Sequence, residues 1–356
     1  MMVNPFYKVK QKIRKLGILF AVFMISTMLM PACAPAAADC TSDQVFCVGL
    51  VTDVGKINDK SFNQSAWEGV QQAEKELGAK IQYIETTDAK DYAKNIATFG
   101  DEAYDVIVTV GFNVGEATDA AAATYPKIKF IGVDQSQAAD VPGVAGLVFP
   151  EDQAGFLVGA LGAMMSKSNK IGAVCGTDAV PPVWRYGEGY KAGAAYADAQ
   201  NGTTTEVFVV YHSDVGFDKT FTDPEWGAAT AKAIVDEGAD VVFGCGSLTG
   251  NSAIITAAQS GAYAIGVDAD QYLTLPAAAP LMLTSAMKLI TPGVFELIKL
   301  SKDGNFPSGN YLGEVGYAPF HDVENKVPDD VKATMEKIKA GLLDGSIKTN
   351  VPSEKP

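Results

Sequence analysis

Ten short apolar runs alternate with amphipathic stretches of helical length along most of this chain, at residues 48–52, 81–85, 106–110, 130–133 and 144–148, then 170–175, 207–211, 241–245, 264–267 and 282–285. Runs of this length separated by helices predict parallel strands joined by right-handed crossovers. The two series resemble each other in detail. Asp105-Val106-Ile107-Val108 is followed by Ile131-Gly132-Val133-Asp134, and Asp240-Val241-Val242-Phe243 by Ile265-Gly266-Val267-Asp268. Trp67-Glu68-Gly69-Val70 is answered by Gly187-Glu188-Gly189-Tyr190. Three echoes in one order indicate a repeated lobe, so the expected fold is α/β and two-lobed, each lobe a parallel sheet flanked by helices.

Open parallel sheets bind ligands outside the carboxyl ends of their strands. Asp53, Asp134, Gly246 and Asp268 all stand at such ends. Facing lobes set Asp53 and Asp134 across a cleft from Gly246 and Asp268. Just beyond the first strand, Asn58-Asp59-Lys60-Ser61-Phe62-Asn63 adds an amide and a phenyl ring before a helix-like stretch. Helix caps and a core phenylalanine are the competing reading of the same residues.

Residues 1–32 hold Lys8, Lys10, Lys12, Arg14 and Lys15 ahead of a short apolar stretch, which describes an export signal rather than a membrane span. Met30-Pro31-Ala32-Cys33 resembles a lipobox, with Cys33 as the acylated residue; cleavage after Ala36-Ala37-Ala38 is the alternative. Removing residues 1–32 takes away five cations and no acid, moving the formal charge from −14 to −19. Nucleic acid is thereby excluded as a partner, because phosphate binding rests on Lys and Arg. Export permits disulfides. Cys40 and Cys47 are placed to close a small loop, whereas Cys175 and Cys245, at the ends of two apolar strands, are read as free buried cysteines. His212 and His321 lack paired ligand spacing, so no metal site is expected. Nucleophile-elbow and phosphate-loop motifs are absent, and no cofactor is implied.

The joints divide the chain into a signal segment (1–32), a linker (33–44), an N-terminal lobe (45–149 plus 287–305), a C-terminal lobe (150–286 plus 306–347) and a loose tail (348–356). Crossovers are expected near 149–152, after 284–288 and within 309–320.

Asp53-Val54-Gly55, Asp59-Lys60-Ser61-Phe62-Asn63, Gly69, the two Gly-Val-Asp ends, Gly189-Tyr190-Lys191-Ala192-Gly193, Gly238-Ala239-Asp240-Val241-Val242 and Thr284-Ser285-Ala286-Met287-Lys288 together resemble the basic membrane protein family. These are substrate-binding lipoproteins of ABC importers, similar to the purine nucleoside receptor type, with a type I periplasmic binding protein fold. The resemblance implies a non-enzymatic, monomeric receptor anchored to the cell envelope. It would close on a purine nucleoside and deliver it to an ABC permease. It also implies that Phe62 stacks on the base, that Asn63 and Asp134 hold base edges, and that Asp53, Asp268 and Lys288 hold ribose, with Gly246 lining the cleft. In place of the paired aromatics usual before Asp-Pro, this chain has Phe221-Thr222-Asp223-Pro224; Phe221 is taken as the second ring, with Phe217 next. Trp184 is a further candidate for the cleft wall. An exported sensor for a riboflavin-like ligand or a sugar, and a nucleoside-processing enzyme with carboxylates as acid and base, are the other function classes.

Overall fold

All ten expected strands form. The computed structural model describes residues 40–42 and 44–356; the signal segment, Cys33 and the rival cleavage site lie outside the described residues. The first series gives β1 (Cys47–Val54), β2 (Lys80–Thr86), β3 (Val106–Val110), β4 (Lys129–Val133) and β5 (Val144–Val148). From the second come β6 (Lys170–Cys175), β7 (Glu206–Tyr211), β8 (Val241–Cys245), β9 (Tyr263–Asp268) and β10 (Met282–Lys288). Two more strands follow, β11 (Gly309–Leu312) and β12 (Val315–Tyr317). The sheets run β11-β5-β4-β3-β1-β2 and β12-β10-β9-β8-β6-β7. All pairings are parallel except β10 with β12. Within each lobe the first strand lies between the second and third, so strand order reverses there and opens a crevice at the carboxyl ends.

The repeat has a packing reason. Gly69, in the helix Phe62–Leu77, lies so close to the helix Ile290–Lys302 that a Cβ would sit 2.7 Å from the Thr291 carbonyl oxygen. Gly189, in the helix Pro181–Asn201, likewise meets the helix Glu151–Met165, where a Cβ would fall 2.2 Å from the Asp152 carbonyl oxygen. In both lobes the echoed glycine therefore admits a helix that has just crossed from the other lobe. Ile290, Val294, Leu297 and Ile298 join Val48, Leu50 and Val108 in the first-lobe core, while Phe156, Leu157 and Leu161 join Ile171 and Phe243 in the second.

Four expectations are corrected. β10 continues through Lys288 within the second sheet, so residues 287 and 288 belong to the C-terminal lobe. Residues 309–312 belong to the N-terminal lobe, because β11 pairs with β5; the chain returns only at Gly313, whose N–H bonds the Val148 carbonyl. Short segments that finish a sheet edge carry too little pattern to declare which sheet they join. The tail is not loose: Thr349 bonds Asp152, the Ser353 carbonyl accepts from Arg185, and Lys355 pairs with Asp178. Cys175 and Cys245 form a disulfide instead of remaining free. Because β6 and β8 are neighbours, the two residues are direct register partners at the strand ends, with Cα atoms 4.3 Å apart. Cys40 and Cys47 form the small loop expected of them.

The second disulfide spans 70 residues of sequence, and closing a loop of that order stabilises a fold by about 2–4 kcal/mol through the unfolded chain. Cys175→Ala combined with Cys245→Ala is expected to lower the unfolding free energy by that amount. Thiol titration of unreduced, denatured protein should find neither sulfur free; two free thiols with an unchanged melting temperature would contradict the bond.

Candidate functional site

One cavity between the lobes is lined by all eight residues singled out from the sequence: Asp53, Phe62, Asn63 and Asp134 from the first lobe, Phe221, Gly246 and Asp268 from the second, and Lys288 at the crossover. Its phenyl rings are Phe62 and the more exposed Phe112 from the first lobe and Phe221 from the second. Phe62 opens a helix that starts just outside β1. Phe221 lies on the loop after β7, its ring pressed on Gly176, where a Cβ would be 2.1 Å from the ring edge. Phe217 is exposed and Trp184 is buried, and neither lines the cavity; Tyr186, two residues further along the same helix, takes the wall position instead.

The two Gly-Val-Asp ends are equivalent in backbone as well as in sequence. Asp134 and Asp268 both have φ of 63°, in the left-handed region that Asp tolerates better than most residues. Their surroundings then differ. Asp134 Oδ2 accepts from Lys288 Nζ at 2.6 Å, while its Oδ1 is buried without a protein partner. Asp268 accepts from Tyr186 on one oxygen, at 3.1 Å, and from Ser61 on the other, at 2.9 Å. Asn63 donates to Asp53 Oδ1 at 3.1 Å and leaves its own Oδ1 buried and unmatched. A buried acceptor without a donor is costly to the protein, and both of these oxygens lack a protein donor.

Electrostatics follow from burial. Taking Asp53 out of water pushes its carboxyl up to about 7, against the opposing Asn63 bond. Burial likewise pushes Asp134 up to about 7, opposed by the Lys288 ammonium, and raises Asp268. For Lys288 burial works to lower the pKa, but the charges of Asp134, Glu151 and Asp268 outweigh it and hold the ammonium above its ordinary range. The ammonium also lies 5.2 Å from the Phe62 and Phe149 ring centres and 5.7 Å from that of Tyr186.

Sequence reasoning missed three contributors. Glu151, fully buried, has Lys288 Nζ 3.0 Å from Oε1 as an ion pair and accepts from Arg185 on Oε2 at 2.6 Å; its signal was the acidic pair Glu151-Asp152 directly after the first crossover proline. Tyr186 had none beyond its place near the second lobe's first loop. Third is the segment Asp59-Lys60-Ser61, whose work is between lobes. Asp59 caps the helix Phe62–Leu77 by accepting from the backbone N–H of Ser61, Asn63 and Gln64. It also accepts from Ser247 Oγ at 3.1 Å, and its carbonyl accepts from Asn251 at 2.7 Å. Lys60, at φ 65°, turns its carbonyl to Gln271 and Thr274. Together with Ser61 on Asp268, these contacts link the two lobes across the cleft.

The chain is similar to proteins with this architecture. The family model described as ABC transporter substrate-binding protein PnrA-like, Bmp, matches residues 46–313. The chain is 29% identical over 363 residues, covering 94% of its length and 97% of the relative's, to the ABC transporter nucleoside-binding protein BmpA of Lactococcus lactis subsp. cremoris. To an uncharacterized lipoprotein of Pyrococcus furiosus it is 30% identical over 319 residues, covering 85% of this chain and 77% of that one. A solved ABC transporter solute-binding protein from Aeropyrum pernix K1 superposes with a TM-score of 0.76 at 26% identity, over 85% of this chain and 92% of that chain. The two-lobed type I periplasmic binding protein fold is thus shared, the family model takes in well over half of the chain, and the protein belongs to the PnrA-like (Bmp) family of ABC transporter substrate-binding proteins.

Proposed function

We propose that the cleft binds a purine nucleoside. The carrying observation is the pairing of a phenyl ring from each lobe, Phe62 and Phe221, with buried acceptors that lack donors, Asn63 Oδ1 and Asp134 Oδ1. Aromatic faces stack on a flat heterocycle for about 1–3 kcal/mol per base. Asn63 and Asp134 then serve the base edge. Carboxylates suit vicinal hydroxyls because each oxygen accepts without donating, which gives Asp53 and Asp268 to the ribose, helped by the remaining N–H of Lys288. A phosphate would meet Asp53, Asp59 and Asp268 with like charge, so the neutral nucleoside fits better than a nucleotide. The name of the Lactococcus lactis relative, a nucleoside-binding protein, supports the same ligand class. Ligand contacts to both lobes favour the closed form, and only such differential affinity shifts an opening equilibrium. The protein acts without catalysis and hands its ligand to an ABC permease.

Cys33 carries the lipid that anchors the protein in the cell envelope, a reading supported by the lipobox-like residues 30–33 and by lipoprotein relatives. Cys33→Ser should leave the membrane fraction while still binding ligand. A mutant processed and fractionating like its parent would favour cleavage after Ala38.

Calorimetry with adenosine tests the main reading. Burial pushes the Asp53 carboxyl up to about 7, so if ribose hydroxyls donate to its ionised form, this group alone should raise affinity about tenfold from about pH 6 to about pH 8. Absence of binding by any purine nucleoside would overturn the ligand class, and pH-independent binding would remove Asp53 from the ribose.

A further inference from the structure

Beyond the cavity, a file of polar contacts runs from its wall to the protein surface and ends on the C-terminal segment. Asp134 Oδ2 holds Lys288 at 2.6 Å, and Lys288 reaches Glu151 at 3.0 Å. The other Glu151 oxygen takes both Nε and Nη2 of Arg185, at 2.9 and 2.6 Å. Arg185 then donates its Nη1 to the Ser353 carbonyl at 2.9 Å. Thr349 bonds Asp152, the residue after Glu151, and Lys355 reaches Asp178 at 2.5 Å. Asp178 in turn accepts from Ser213 at 2.7 Å and belongs to the rim loop that leads to the cavity residues Val180 and Pro182.

The file is anchored at the first two of the three crossovers. Glu151 follows the first directly, and Lys288 is the last residue of β10 before the second. Its inner members are almost wholly enclosed: side-chain exposure is 18% for Arg185, 0% for Glu151, 2% for Lys288 and 7% for Asp134. Asp134–Lys288 and Glu151–Arg185 are short charge-assisted hydrogen bonds and Lys288–Glu151 is a buried ion pair, so displacing one member disturbs the next. Arg185 supplies a planar fork that a single Glu151 oxygen and one backbone carbonyl hold in place. Without the Ser353 carbonyl, the outer half of that fork faces water. The Lys355–Asp178 pair is more exposed and weak by itself.

We propose that residues 349–355 are a positioning strap for the ligand site: by fixing Arg185 they hold Glu151 and Lys288 in place at the first two crossovers, and thereby set how readily the cleft opens. The part concerning ligand release rests on the nucleoside reading; the part concerning the crossovers does not.

The test compares the full chain with one ending at Lys348 by hydrogen–deuterium exchange without added ligand. Amides of residues 148–153 and 285–292 should exchange about tenfold faster in the shortened chain, with β3 and the helix Asp329–Asp344 unchanged. Adenosine should also dissociate about tenfold faster from it, at an unchanged association rate. Lys355→Ala alone should do little, and shortening a chain that already carries Arg185→Ala should add much less than shortening the parent does, since only the Thr349–Asp152 and Lys355–Asp178 contacts then remain to be lost. Unchanged exchange at the crossovers would overturn the strap, as would acceleration spread evenly over the molecule, which marks general loss of stability. If adenosine fails to bind the full chain, the nucleoside reading falls while the exchange result still decides the strap.

Discussion

Lys288 carries a positive charge into a largely buried wall of carboxylates. Charges so placed are tolerable only when each has partners, and the ammonium is shared between Asp134 of the first lobe and Glu151 at the start of the second. The lobes are therefore joined electrostatically at their crossovers as well as through the backbone. Breaking such a buried pair typically costs about 3–5 kcal/mol because the partner is stranded. The charge also explains how Asp134 can stand in the cavity wall: one oxygen is occupied by Lys288 and the other, buried, has no protein donor.

Opposite this fixed centre lies a set of weaker contacts with a different task. Ser61, Lys60 and Asp59 reach across to Asp268, Gln271, Thr274, Ser247 and Asn251 by neutral or singly charged hydrogen bonds. Each has a modest net worth, about 0.5–1.5 kcal/mol, because water replaces it when the cleft opens. A strong centre at the crossovers and a renewable latch at the mouth are what a hinge requires. Asp268 belongs to both systems, for it accepts from the latch residue Ser61 and lies near enough to raise the Lys288 pKa.

Much of this was legible in the sequence for one reason: the chain repeats itself. A strand-end aspartate has little meaning alone, but Asp134 and Asp268 at matching places in two series imply a shared cleft, and the backbone confirms their equivalence. The echoed Gly69 and Gly189 were visible as pattern, although their reason, a crossing helix pressed on each, was not. Long-range pairings stayed hidden. The Cys175–Cys245 bond depends on β6 lying beside β8, and Glu151 gains its role only when a crossover brings it to Lys288. Trp184 drew notice as the more conspicuous aromatic, yet Tyr186 reaches the cavity, since direction along a helix decides between them. The contacts of residues 349–355 left no periodic trace at all.

The central claim is that this cleft closes on a flat heterocycle joined to a sugar. A closed cleft of this kind retains ligand through gentle purification, so mass spectrometry of protein isolated without refolding, after denaturation to release what it carries, addresses the claim most directly. A purine nucleoside at close to one per chain is the predicted result. A ligand with no aromatic heterocycle, such as a free sugar, would contradict the roles given to Phe62 and Phe221 and the account built on them.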